Sequence, residues 1–138
     1  MDSDASQTIV LVEDDPGDFE LIRIALRDGK IRHALVHFDD GKKAVDALAR
    51  MEPPALILLD LNLPRMAGKE VLGALRADAK TARVPIVVLS SSDLPDDIRE
   101  CYALGANSFV SKPSGFGDFS AVVASVARYW TELNRWPT

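Results

Sequence analysis

Apolar residues fall in five short runs, and between these runs the spacing becomes helical. The densest run, Ala55-Leu56-Ile57-Leu58-Leu59, leads straight into Asp60 and is closed by Pro64. An unbroken apolar run of this length suits a strand buried on both faces, as in a parallel sheet. Thr8-Ile9-Val10-Leu11-Val12 is a second such strand. Val84-Pro85-Ile86-Val87-Val88-Leu89 is another, with Pro85 near its start, where a lost N–H matters least. His33–Phe38 alternates weakly and Asn107–Ser111 is short, and both read as strands.

The intervening segments carry helix signals. Asp15 can cap a helix begun by Pro16, with Leu21, Ile22, Ala25 and Leu26 on one side and Gly29 as its stop. Asp40 can cap a short helix marked by Ala44, Val45, Ala47 and Leu48, and Val71, Leu72 and Leu75 mark the next. Ser92 or Asp93 can cap a helix from about Pro95 to Leu104, closed by Gly105. From Gly117 to about Asn134, Phe119, Val122, Val123, Val126, Ala127 and Trp130 recur at helical spacing. Strand then helix, five times over, predicts a parallel sheet with helices on both faces.

Composition narrows the setting. The 138 residues fit one domain spanning 1–138, with its core at about 8–130 and a tail at 131–138. A net charge of −5 argues against nucleic-acid binding, which needs a basic patch. The single cysteine, Cys101, cannot form an internal disulfide, as suits a reducing compartment. No apolar stretch approaches the roughly 20 residues that span a membrane, and Met1–Gln7 lacks the form of a signal peptide. A cytoplasmic location is expected.

Chemistry enters through the strand ends. Alone, Asp60 divides evenly between a reactive carboxylate and a bland acid, one solvated at a strand end or capping a helix. In a parallel sheet, however, all carboxyl ends lie on one edge. Glu13-Asp14, Asp60, Ser90 and Lys112 each follow a predicted strand, so three acids, a hydroxyl and an ammonium converge there. Clustered carboxylates call for a cation, and an all-oxygen set favours Mg²⁺ or Mn²⁺. A carboxylate can be a phosphoryl acceptor, and a cation plus a lysine can clamp the phosphoryl oxygens. The set reads as a metal-assisted phosphoryl-acceptor site.

In order, Glu13-Asp14, Asp60 within D-L-N-L-P, Gly68, Ser90 and Lys112-Pro113 make the chain resemble a receiver domain of the two-component response-regulator family. The resemblance covers about Thr8 to Trp130. It implies a (βα)₅ doubly wound, flavodoxin-like fold with a five-stranded parallel sheet. It also implies that Asp60 accepts a phosphoryl group from a histidine-kinase phosphohistidine, and that the protein is a signalling switch rather than an enzyme. Asp14 and Asp60 would be direct metal ligands, Glu13 would act largely through water, and Asn62 would offer its backbone carbonyl. Ser90 and Lys112 would contact the phosphoryl oxygens, Phe109 would turn inward on activation, and a cis peptide would precede Pro113. The L-V-E-D start, D-L-N-L-P and the Tyr129-Trp130 tail resemble regulators paired with phytochrome-type histidine kinases, which implies homodimers through C-terminal elements.

Some positions depart from the family's usual pattern. Ala67 stands before Gly68 where an acid is common, and Ser114-Gly115-Phe116-Gly117 follows Lys112-Pro113, which predicts a looser start to the last helix. Asn62 and Ser92 occupy positions that in the family tune phosphate hydrolysis. A partner would be engaged by the receiver itself, with Trp130 completing the core and Trp136 offered for contact. Two other readings compete: a docking module indifferent to phosphorylation, whose signature would be a lost acid or lysine, and a phosphoester hydrolase. None of the acids or the lysine is lost, and Asn62 stands where a hydrolase would need a second acid.

Overall fold

Side chains of the buried strands alternate between two cores in the computed structural model, which describes residues 8–135. The strands are β1 (Thr8–Val12), β2 (Ala34–Phe38), β3 (Leu56–Asp60), β4 (Ile86–Ser90) and β5 (Ser108–Ser111). They are all parallel, in the order β2-β1-β3-β4-β5. The helices are α1 (Pro16–Asp28), α2 (Gly41–Leu48), α3 (Gly68–Ala77), α4 (Pro95–Ala103) and α5 (Phe116–Arg128). Val10, Val12, Ile57, Leu59, Ile86 and Val88 pack with α2, α3 and α4. Ile9, Leu11, Leu56, Leu58, Val87 and Leu89 pack with α1 and α5 on the other face. This is the doubly wound flavodoxin-like arrangement, and its strand order reverses between β1 and β3.

Local chemistry explains the element ends. Asp15 caps α1 by accepting from the Gly17 N–H (2.8 Å) and the Asp18 N–H (3.3 Å). Asp40 caps α2 by accepting from the Lys43 N–H at 3.0 Å. Gly105 takes φ +108° after α4, and a Cβ there would lie 2.7 Å from Arg76 Cγ, so glycine is required. At the start of α3 the backbone presses on β3: a Cβ on Gly68 would lie 2.5 Å from the Asp60 carbonyl oxygen.

Several expectations need correction. Gly29 ends α1 as expected, but at an ordinary φ of −77°; the left-handed conformation falls to Lys30 at φ +61°. β4 begins at Ile86, after Pro85, and extends through Ser90. Neither Ser92 nor Asp93 is the cap residue of α4; Leu94 holds that position, without a side-chain hydrogen bond. No cis peptide occurs among the described residues, so the bond before Pro113 is trans, the isomer X–Pro bonds intrinsically favour. After it Gly115 holds the cap position of the last helix at an extended φ of −89°, without a side-chain hydrogen bond, and α5 starts at Phe116, one residue before the expected Gly117. Beyond α5 the chain makes one π-helical turn, Tyr129–Leu133. Trp130 packs against the α1–α5 core, edge-on to Tyr129 at 5.1 Å. Trp136 lies outside the described residues.

Candidate phosphoryl-acceptor and metal site

β1 and β3 are neighbours, so their carboxyl ends deliver Glu13-Asp14 and Asp60 to the point where the strand order reverses, the usual ligand crevice of such sheets. Ligand oxygens of Glu13, Asp14 and Asp60 all lie within 4.8 Å of one another. Glu13 is only 1% exposed and Asp60 is buried, whereas Asp14 is open to solvent. Burial pushes the Glu13 carboxyl up to about 7, and the nearby Asp60 charge adds to the rise while Lys112 opposes it. Burial likewise raises Asp60, against the pull of Lys112 and of the Leu61 and Asn62 backbone. Two buried acids that resist ionisation alone, with an exposed third beside them, are a donor set that a divalent cation would relieve.

β5 brings Lys112 to the same edge. Its ammonium donates to Glu13 Oε1 at 2.9 Å and to Asp18 Oδ2 at 2.8 Å, and it stands 3.6 Å from Asp60 Oδ1. Burial alone would lower the Lys112 pKa, but the hydrogen bonds to Asp18 and Glu13 and the Asp60 charge raise it overall. It is a permanent cation here.

Ser90 ends β4, fully buried, and its hydroxyl accepts the Ser92 N–H at 3.0 Å. The Ser92 hydroxyl donates to Asp97 at 2.6 Å, and Asp97 accepts from Lys69 of α3 at 2.7 Å. The loop after β4 is therefore tied to both α3 and α4. Asn62, Ser90, Ser92, Lys69 and Asp97 line a cleft beside the acids. Phe109 lies near the start of β5, beside Val88, half-buried against the α3–α4 core, and its N–H donates to the Tyr102 hydroxyl at 3.2 Å.

Of the residues expected to form the site, Glu13, Asp14, Asp60 and Lys112 are brought into one cluster. Ser90 and Asn62 border it, and Phe109 stands apart. Two participants were missed. Asp18 looks in sequence like an ordinary first-turn acid, favourable beside a helix N-terminus. Only its position three residues after the cap, on the turn nearest the strand ends, hinted otherwise. His37 stacks on Phe19 (centroids 4.0 Å) and donates from Nε2 to the Glu13 carbonyl at 2.7 Å, steadying the acidic loop. It sits inside a weakly alternating strand and carried no signal.

Known proteins share this sequence pattern and fold. The family model described as the response regulator receiver domain matches residues 9–124. The chain is 34% identical over 137 residues to response regulator Rcp1 of Synechocystis sp., covering 95% of this chain and 93% of Rcp1. The phosphorylated cyanobacterial phytochrome response regulator RcpA superimposes with TM-score 0.89 at 36% identity, over 95% of this chain and 98% of that one. The Mn²⁺-bound form of Rcp1 superimposes with TM-score 0.87 at 34% identity, over 95% and 99%.

Proposed function

The chain belongs to the response-regulator receiver family, and from that premise we propose that it is a phosphorylation switch whose acceptor is Asp60. The observation that carries this reading is the meeting of Glu13, Asp14, Asp60 and Lys112 at the β1/β3 reversal. Asp14 and Asp60 would hold a divalent cation directly, Mg²⁺ or Mn²⁺, with Glu13 reached largely through water and the Asn62 carbonyl as a further ligand. When bound, the cation supplies positive charge for the oxygens of the transferred group.

Asp60 acts as the nucleophile. One carboxylate oxygen forms an O–P bond as the donor's N–P bond breaks; the electron pair stays on the donor imidazole, which takes up a proton. Lys112 is already 3.6 Å from Asp60 Oδ1 and meets the developing charge without a long movement. Ser90 exchanges its bond from the Ser92 N–H for one donated to a phosphoryl oxygen. That exchange pulls on the loop joined to Asp97 and Lys69, and Phe109 turns toward the space Ser90 leaves. The phosphoryl donor is a histidine kinase. Likeness to Rcp1 and RcpA supports a phytochrome-type kinase, and the exposed Tyr129 and Leu133 support a homodimer through C-terminal elements. The acidic chain lacks the charge for nucleic acid. No described helix is long and apolar enough to cross a membrane.

The test is intact-mass spectrometry after incubation with acetyl phosphate and Mg²⁺. A species heavier by about 80 Da, one phosphoryl group on a carboxylate, is expected for the wild type and not for Asp60→Asn. Equal labelling of both proteins, or of neither, refutes the reading.

A further inference from the structure

Asp18 stands outside the acidic triad yet makes the shorter of the two ammonium contacts, 2.8 Å to Lys112 against 2.9 Å from Glu13. The Lys112 side chain is 12% exposed, so its ammonium must be paired within the protein. Of the three carboxylates around it, Glu13 and Asp60 belong to the set that fits a divalent cation; Asp18 does not. A carboxylate engaged with a divalent cation has little charge left for a neighbouring ammonium. With the cation in place, Asp18 is the one of these three carboxylates that lies outside the donor set and keeps its whole charge for Lys112.

The segment carrying Asp18 is suited to that task. Asp15 caps its helix, Pro16 fixes the first turn, and Phe19 stacks on His37. Asp18 also lines a cleft with Leu21, Pro113, Phe116 and Phe119, so it faces the β5–α5 loop that bears Lys112. We propose that Asp18 is a positioning residue that keeps the Lys112 ammonium beside Asp60 while the cation occupies the other acids. This rests on the phosphoacceptor reading above. A first-turn acid serving only the helix dipole would affect stability alone.

Removing Asp18 leaves Lys112 only Glu13 and Asp60, both in the donor set, so the ammonium then competes with the cation for them. The experiment measures Mg²⁺ affinity by calorimetry on the full chain, for Asp18→Asn in the wild-type and Lys112→Met backgrounds. The expected loss is about tenfold in the first background and at most about twofold in the second. At saturating Mg²⁺, labelling of Asp18→Asn by acetyl phosphate is expected to slow by about tenfold. An unchanged Mg²⁺ affinity in Asp18→Asn, or equal losses in both backgrounds, overturns the proposal. Calorimetry needs no phosphoryl transfer, so a wild type that binds Mg²⁺ but is never labelled counts against the phosphoacceptor reading alone.

Discussion

At the carboxyl edge of the sheet the Lys112 ammonium lies among carboxylates, whereas at the amino edge the Arg76 guanidinium lies among neutral oxygens. Arg76 donates to the carbonyls of Gly105 (2.8 Å), Thr81 (2.9 Å), Ala82 (3.1 Å) and Val84 (2.8 Å), and to Asn107 Oδ1 (2.8 Å). The same Asn107 oxygen accepts the Ile86 N–H at 2.8 Å, so this knot joins the end of α3 to the starts of β4 and β5. Every nitrogen of the guanidinium has an acceptor, and no carboxylate is among its partners. Around Lys112 the sum is different: Glu13, Asp18 and Asp60 face one ammonium, and Asp14 adds a further acid beside Glu13 and Asp60. One edge is built to stay put, and the other holds an excess of negative charge that an incoming cation and phosphoryl group can reorganise.

The largest expected effect is at the charged edge. Lys112→Met should slow labelling of Asp60 by about 10²–10³-fold, the usual loss when one donor to a developing oxyanion is removed. It should also tighten Mg²⁺ binding, since a competing cation is gone. Labelling rates and calorimetry check both, and a Lys112→Met protein that labels at the wild-type rate would erase the contrast between the edges.

Arg76→Met should act oppositely, on stability and not on chemistry. Stranding four carbonyls and Asn107 should cost about 2–3 kcal/mol, read by urea denaturation, with Mg²⁺ affinity per folded molecule unchanged. If Mg²⁺ affinity fell as well, the two edges would be coupled.

Next comes pH. Glu13 titrates near 7 because of its burial, and Asp60 is also raised. Protons and metal compete for these oxygens, so Mg²⁺ affinity should fall by up to about tenfold per unit as pH drops below 7. For the metal-free fold the sign reverses. The native state holds the Glu13 proton more tightly than the unfolded chain, so this contribution is present at pH below 4.5 and is lost as pH rises to about 7. Added Mg²⁺ should restore stability at neutral pH. Calorimetry and thermal melts across pH 5–8 test both slopes.

The smallest effect is expected where an exposed arginine merely reaches back from the loop after β3 to the cap of α2. Arg65 donates from Nε to Asp40 at 2.5 Å but is 58% exposed, so Arg65→Ala should shift the urea midpoint least of these variants and leave labelling intact. Urea midpoints and labelling rates measure it.

Much of the carboxyl edge was legible in the sequence because each strand announces itself by an apolar run and then stops at a polar residue. Once Leu56–Asp60 and Thr8–Val12 are parallel neighbours, Asp60 and Glu13-Asp14 must meet. The capping roles of Asp15 and Asp40 were equally legible, since they depend on local sequence alone. Less could be read where partners are distant. Asp18 and Lys112 are 94 positions apart, and Arg76 and Asn107 are 31 apart. Nothing in the composition of either segment marks those pairs. His37 was hidden for another reason: its role is to bond a backbone carbonyl, which leaves no pattern in side-chain chemistry. The cis bond before Pro113 was an expectation from family resemblance alone, and the cap of α4 went to the nearest polar residues, whereas Leu94 caps with its backbone only and the Ser92 hydroxyl is engaged by Asp97.

The central claim is that the reactive carboxylate is Asp60 and that its neighbours serve it. The most direct measurement is to label the full chain with acetyl phosphate and Mg²⁺, reduce the acyl phosphate with borohydride, and map the modified residue by tandem mass spectrometry. Modification at position 60 alone, abolished by EDTA, is the expected result. Modification at Asp14, Asp18 or any other carboxylate, or at Asp60 in undiminished yield without a divalent cation, would contradict it.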